Sequence, residues 1–324
     1  MATYLLRRAG QALFVMLAMS VIVFIAIYAI GNPVDILINP QATQIERDNA
    51  IKALGLDLPI WRQYAYFLIN AVQGDLGRSF VYNEPALRLI VERAPATFEL
   101  AIASTLLAVV IGVPLGLYAG LKPASPASTT IMAGSILGFS LPTFWVGIML
   151  IMVFSVGLGW LPAGGRGATR SILGTNWSFL TPDGLAHMVL PVVNLALFQI
   201  SMVVRLTRSG TAETLLSDYV KFARAKGLSE SRIVSVHVFK NILIPIVTVV
   251  GLNLGSIIAF AVVTETIFAW PGMGKLIIDS ISVLDRPVIV SYLMLMVLLF
   301  ILINLTVDLA YCLLDPRVRL RDGQ

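Results

Sequence analysis

Cysteine is nearly absent from this sequence. The single Cys312 excludes an intramolecular disulfide framework and a cysteine-based metal cluster. Histidine is almost as scarce, and His187 and His237 stand far apart with no ligand spacing, so no zinc site is expected. Catalytic motifs are missing as well. There is no His-Glu-x-x-His and no Gly-x-Ser-x-Gly. The nearest approach to a phosphate loop, Gly272-Met273-Gly274-Lys275, lacks the upstream glycine and the Ser or Thr after the lysine. The chain is therefore expected to carry no cofactor or metal, to hydrolyse no ATP itself, and not to be an enzyme.

Charge is the other scarcity. Only 13% of the 324 residues are charged, against about 25% in a soluble domain. Hydrophobic residues make up 57%, and the mean hydropathy is +0.86. These values describe a polytopic membrane protein. The net charge of +5 does not point to nucleic acid, because the basic residues lie in blocks between apolar runs and no aromatic-interleaved basic groove is visible. Basic loops on the cytoplasmic side of a membrane account for them better.

Six uncharged stretches approach or exceed the roughly 20 residues that cross ~30 Å of hydrocarbon. They are Ala12–Ile30, Leu100–Leu121, Pro123–Gly165, Gly184–Val204, Asn241–Thr264 and Pro287–Val307. The third could hold two short helices. It is read as one span, from about Ile131 to Gly157, kinked near Pro142, with Trp160 as an interfacial anchor. Six spans with both termini in the cytoplasm put 13 of the 23 Lys and Arg inside: Arg7 and Arg8, Lys122, the seven between Arg205 and Lys240, and Arg317, Arg319 and Arg321. Six of the remaining ten fall in one long outer segment, where the positive-inside rule weakens. The 19-residue first run is longer than the 7–15 residues of a cleaved signal and is read as an uncleaved span.

The expected organisation is residues 1–30 as N-terminus and first span, 31–97 as an extracytoplasmic segment, and 98–324 as the core of spans two to six with a cytoplasmic loop at 205–240. The outer segment has apolar residues at helical spacing, from Ile45 to Leu54 and at Ile60, Trp61, Tyr64, Phe67, Leu68, Ala71 and Val72, interrupted by Gly55, Pro59, Gly74 and Gly77. Two readings stand side by side: a cap on the bilayer surface, or a contact element for whatever delivers substrate. Intramembrane ionisable residues are few. Glu265 lies at the outer end of span five and Asp308 about one turn past the core of span six, each able to reach an interface. Asn194, Gln199, Asn253 and Asn304 either line a pathway or bond across helices. A secondary transporter would more often show acids at mid-bilayer and broken or repeated helices.

The loop 205–240 is the most informative segment. More than 30 residues of basic, helix-forming sequence project from an otherwise oily chain. Thr211 to Phe222 has helical composition, Gly227 supplies a turn, and Ser229 is placed to cap a second helix with Glu230 early and His237 and Lys240 late. Such a helix suits docking to a soluble partner and passing on rigid-body motion; the plainer alternative is a hairpin binding anionic lipid.

The loop resembles the cytoplasmic segment of ABC importer permeases of the dipeptide/oligopeptide/nickel branch, which carries Asp-Tyr-x-x-x-Ala-Arg-Ala-Lys-Gly. Here that motif is Asp218-Tyr219 and Ala223-Arg224-Ala225-Lys226-Gly227, followed by His237, Asn241 and Pro245. The wider superfamily has Glu-Ala-Ala before the glycine; this chain has Lys221-Phe222-Ala223. Leu54 to Pro59, Gly74-Asp75-Leu76-Gly77, Ser140 to Trp145, Gly159 to Pro162, Thr264 to Phe268, Trp270 to Gly274, Asn304-Leu305, Asp308 and Asp315-Pro316-Arg317 extend the likeness over nearly the whole chain, to the B-type (first) permease subunit. Gly31-Asn32-Pro33 stands where the family commonly has Gly-Asp-Pro.

The resemblance implies an all-α type I importer permease fold with six transmembrane helices in the bacterial inner membrane. It implies a second permease subunit to complete the translocation path, and two ATPase subunits that bind ATP and Mg and grip Asp218, Tyr219, Ala223, Arg224, Ala225, Lys226, Gly227, Leu228 and Ser229. It further implies an extracytoplasmic binding protein that delivers di- or oligopeptides or similar small solutes. A self-sufficient secondary transporter is the alternative.

Overall fold

The computed structural model describes residues 2–29, 43–45, 51–52 and 57–314, with side chains from 10 to 26 and up to 307 within those limits. Gly31-Asn32-Pro33, most of the helical pattern expected at Ile45 to Leu54, Gly55 and Asp315-Pro316-Arg317 lie outside the described residues, as do the side chains of Arg7, Arg8, Asp308 and Cys312. The helices are α1 Ala2–Ala29, α2 Ile60–Val72, α3 Ala86–Leu121, α4 Pro126–Ser140, α5 Thr143–Gly157, α6 Pro182–Leu215, α7 Asp218–Ala225, α8 Glu230–Ile267, α9 Met273–Ser282 and α10 Arg286–Leu314. A small hairpin, β1 Arg170–Ile172 and β2 Thr175–Trp177, pairs antiparallel between α5 and α6.

Among the described residues, four helices, α3, α6, α8 and α10, are long and apolar enough to cross a membrane. The α1 helix carries the shorter apolar stretch Gly10–Ala26 where the first span is expected. The third span departs from its expected shape. In place of a kinked helix there are two, α4 and α5, bent by 104°. Leu141 is extended (φ −78°, ψ 132°) and so is Pro142 (φ −62°, ψ 130°). The residue before a proline is pushed out of the α region, so two consecutive residues leave the helix and the chain turns sharply. Helix α3 begins at Ala86, so the last turns of the segment 31–97 already belong to it.

The loop 205–240 also differs from its pattern. Helix α6 carries span four onward to Leu215, so the helical composition from Thr211 to Phe222 is split between two helices. Leu216 and Ser217 close the last turn of α6 with bonds to Glu213 and Thr214, Ser217 is extended (φ −68°, ψ 149°), and α7 starts at Asp218. The Ser217 hydroxyl donates to Thr214 C=O at 2.5 Å rather than capping α7, a local side-chain bond of the kind that competes with helix continuation. Two stretches are π-helical, Ile151–Gly157 within α5 and Ile233–Val238 within α8.

Two compact units divide the described chain. In the unit of residues 1–93 and 276–301, Val23 of α1 packs with Val290 and Met294 of α10 beside Phe67 and Leu76. Phe24 meets Tyr64 edge-on at 5.2 Å, and Tyr64 shares a 2.8 Å hydrogen bond with Ser20. The buried Asp285 accepts from the Ser79 hydroxyl and from Phe80 N–H at 3.2 Å. In the unit of residues 94–275 and 302–324, α3 lies close against α6 through Gly112, Gly116 and Gly120. A Cβ at Gly116 would stand 2.6 Å from the Val204 carbonyl and 2.6 Å from Thr207 Cβ. Small residues every fourth position let two membrane helices approach to backbone contact.

Candidate functional site

The site is built on α7, an eight-residue helix set between α6 and α8. Its pattern fixes which face is anchored. Val220 and Ala223 are buried and join Val203 of α6, Val113 of α3 and Ile233, Val238, Ile242 and Ile246 of α8 in one apolar cluster, with Leu215 and Leu228 against its edge. The helix ends in a Schellman turn: Leu228 N–H donates to Ala223 C=O at 3.3 Å and Gly227 N–H to Arg224 C=O at 2.9 Å. Gly227 takes φ +77°, the left-handed conformation this turn requires and glycine adopts without a Cβ penalty.

The opposite face is bare. Phe222 is 62% exposed and Tyr219 46%, and Leu216 in the turn before α7 is 74% exposed, together an apolar and aromatic patch beside a helix otherwise ringed by charge. Around it Lys221 pairs with Asp218 at 2.9 Å, and the Lys226 ammonium lies 4.6 Å from the Phe222 ring centre. Arg224 reaches across the turn to Glu230 at 2.8 Å and 3.3 Å; that hydrogen bond, and the Glu230 charge after it, hold the guanidinium above its ordinary pKa. Ser229 occupies the N-cap position of α8 (φ −64°, ψ 146°), but its side chain makes no capping bond.

The residues singled out in the sequence thus fall in one contiguous element, though they divide its labour. Ala223 and Leu228 hold α7 against the bundle and Gly227 closes its last turn, whereas Asp218, Tyr219, Arg224, Ala225, Lys226 and Ser229 are exposed. Two participants escaped the sequence reading. Phe222 offers the largest aromatic surface of the patch, and only the position of Val220 and Ala223 on the buried side reveals which way it faces. Glu230 was seen as a dipole partner rather than as the other half of an ion pair.

At the far end of α8 the polar chemistry is of another kind. Glu265, expected within reach of an interface, is fully buried in protein. Its carboxylate accepts from the Thr97 hydroxyl at 2.6 Å and from Lys275 N–H at 2.9 Å, with Gly274 N–H as a further donor. It therefore caps the N-terminus of α9, where unpaired N–H groups and the helix dipole favour an anion. Thr97 in turn accepts from Met273 N–H at 2.8 Å, and Trp270 Nε1 donates to Ala96 C=O at 2.9 Å. The glycines that suggested a phosphate loop have another cause: a Cβ at Gly272 would stand 2.2 Å from Glu265 Oε1, and one at Gly274 2.6 Å from Val262 Cα. The loop before α6 is tied down similarly, by Arg166 bonding the buried Glu99 at 2.8 Å, Ser178 Oγ at 3.0 Å and Asn176 C=O at 2.6 Å.

Of the intramembrane amides, Asn194 bonds across helices, donating to Thr264 of α8 at 2.9 Å. Gln199 makes a long 3.4 Å contact to Ser104 of α3. Asn253 donates to Val249 C=O at 2.9 Å and to Met202 Sδ at 3.3 Å.

Against known proteins, residues 112–320 match the family model described as binding-protein-dependent transport system inner membrane component, and residues 1–101 match the model of its N-terminal part. The di/tripeptide transport system permease protein of Pseudomonas aeruginosa is 38% identical, covering 98% of this chain and 99% of that protein. The dipeptide transport system permease protein of Escherichia coli K12 is 36% identical over the same shares, and the oligopeptide transport system permease protein of Bacillus subtilis 37%. Among solved structures, a chain of the inward-facing MetNI methionine ABC transporter superposes with a TM-score of 0.57 at 19% identity, covering 72% of this chain and 99% of that one. That likeness shows the fold, the type I importer permease fold.

Proposed function

From the premise that this chain belongs to the family of binding-protein-dependent transport system inner membrane components, we propose that it is the first of two permease subunits of an ATP-driven importer of di- or oligopeptides. Each near-full-length relative named above is a peptide permease, and this supports the substrate class. The second permease would complete the membrane path. Two ATPase subunits would supply ATP and Mg chemistry from the cytoplasm, and a binding protein would deliver peptide from the other side. Both termini of this chain would then face the ATPases.

The observation that carries the reading is the construction of α7. Buried Val220 and Ala223 and a fixed turn at Gly227 immobilise the helix, while Leu216, Tyr219 and Phe222 remain uncovered. An exposed apolar patch on a rigid helix fits a groove on a partner. When the ATPases close on ATP, a helix gripped there would move as one body with the ends of α6 and α8 and switch the path between its two openings. The secondary-transporter alternative loses ground at Glu265, which is fully buried with its carboxylate committed to Thr97 and to the start of α9 rather than open to a path.

The test is affinity purification of the tagged chain in mild detergent followed by mass spectrometry, together with dipeptide uptake into proteoliposomes holding the recovered complex. The expected result is one further permease, two ATPase chains and uptake that stops without ATP. A homo-oligomer that transports without ATP would overturn the proposal.

A further inference from the structure

A cleft of about 280 Å³ opens between α5, α6 and α8, close to the lower end of the roughly 300–1,000 Å³ typical of ligand sites. Its walls include Thr143, Phe198, Gln199, Asn253, Ser256 and Phe260. From Asn253 to Thr264, also in the wall, the cleft follows about 16 Å of α8 at 1.5 Å per residue. This depth lies within the stretch Asn241–Thr264, which has no charged residue.

Thr264 in this wall accepts from Asn194, but other polar atoms there are uncommitted. Donation to the Val249 carbonyl fixes the orientation of the Asn253 amide, and its Oδ1 then makes no hydrogen bond among the described residues. The same holds for Gln199 Oε1, although Gln199 is 4% exposed, and for the hydroxyls of Ser256 and Thr143. Thr143 opens α5 immediately after the Pro142 break, and no side chain caps that helix start. Lipid offers nothing to such groups, and a polar group left unpaired in hydrocarbon is costly. A wall of amide oxygens, hydroxyls and an uncapped helix start, set among Phe198, Phe260 and Leu195, suits a ligand that is itself a chain of amides.

We propose that this cleft is a transit site for the peptide as it crosses the membrane: Gln199 Oε1 and Asn253 Oδ1 accept from backbone N–H groups or the terminal ammonium, and the α5 start receives a carboxylate or carbonyl oxygen. The aromatic wall takes whatever side chains the peptide brings. Recognition is thereby directed at what all short peptides share. This inference rests on the peptide-importer reading above.

The test uses the full complex in proteoliposomes, with Cys312→Ser removing the one cysteine of this chain. Asn253→Cys and Ser256→Cys are compared with Val110→Cys, which lies about 200° round α3 from the Gly112 that faces α6, at 100° per residue. A charged, water-soluble methanethiosulfonate should modify the cleft positions at least about tenfold faster than Val110→Cys, since only a wet path brings the reagent to that depth. Ala-Phe with its binding protein should slow that reaction. Asn253→Leu should lower Ala-Phe uptake about tenfold, equivalent to one lost hydrogen bond. Cleft positions no more reactive than Val110→Cys overturn the proposal, and so does rapid modification that Ala-Phe leaves unchanged while the wild-type complex imports it. If the wild-type complex imports no dipeptide, the peptide-importer reading falls, and the labelling rates alone still decide whether the cleft is the wet path.

Discussion

The two ends of α8 use polar groups in opposite ways. Near Ile267 the polar groups are buried and satisfied. Glu265 is held by Thr97 and by the backbone of Gly274 and Lys275, and glycines allow the loop to close over it. Near Glu230 the charges sit on the surface, where ion pairs contribute little, and the apolar side chains Leu216, Tyr219 and Phe222 stay out in water. The first end completes itself. The second has a buried half that fixes its position and an exposed half that the proposed ATPase contact would cover. A helix can be rigid and unfinished together, and this is what a coupling element requires.

Substitutions at the two ends should sharpen that contrast. The largest loss of stability is expected from Glu265→Ala, which strands the Thr97 hydroxyl and two backbone N–H groups in the interior, at a cost of roughly 3 kcal/mol or more; thermal unfolding of the purified complex reads it directly. Gly227→Pro comes next. Proline cannot adopt φ +77° and has no N–H for Arg224 C=O, so the Schellman turn is lost and ATP-coupled uptake should fall to background while the chain still inserts. Gly227→Ala keeps the N–H and should be milder, about 1–2 kcal/mol for a left-handed alanine. Smaller still in stability is Tyr219→Ser with Phe222→Ser, whose melting temperature should match the wild type because neither ring is buried. Arg224→Ala should leave melting near wild type, at low salt and high, since the Arg224–Glu230 pair lies on the surface.

Much of this was legible in the sequence because the bilayer imposes simple rules. Long uncharged runs marked α3, α6, α8 and α10, and the charged block between two of them marked α7. Gly227 was readable as a turn, since a glycine after a short basic helix seldom has another purpose. Other features were hidden for physical reasons. The 104° bend at Leu141–Pro142 looks in sequence like an ordinary kink, because proline restricts its predecessor without fixing the angle between the helices it separates. The Ser217-Asp218 break rests on a local bond from the Ser217 hydroxyl to Thr214 C=O, a signal outvoted by the composition of the surrounding window. Glu265 and Glu99 find partners at Thr97 and Arg166, 168 and 67 positions away, and no local pattern can announce a contact at that separation. The glycines at 272 and 274 came closest in sequence to a phosphate loop without forming one, and their reason is the bulk of a carboxylate and of Val262 packed against them.

The most direct test of the account is the recovery of ATPase subunits with tagged Tyr219→Ser/Phe222→Ser chain, measured against wild type at equal membrane level and equal melting temperature. The account predicts that the second permease still co-purifies while the ATPases are lost. Undiminished recovery of both ATPase chains would contradict it, because the exposed rings of α7 would then have no partner to meet.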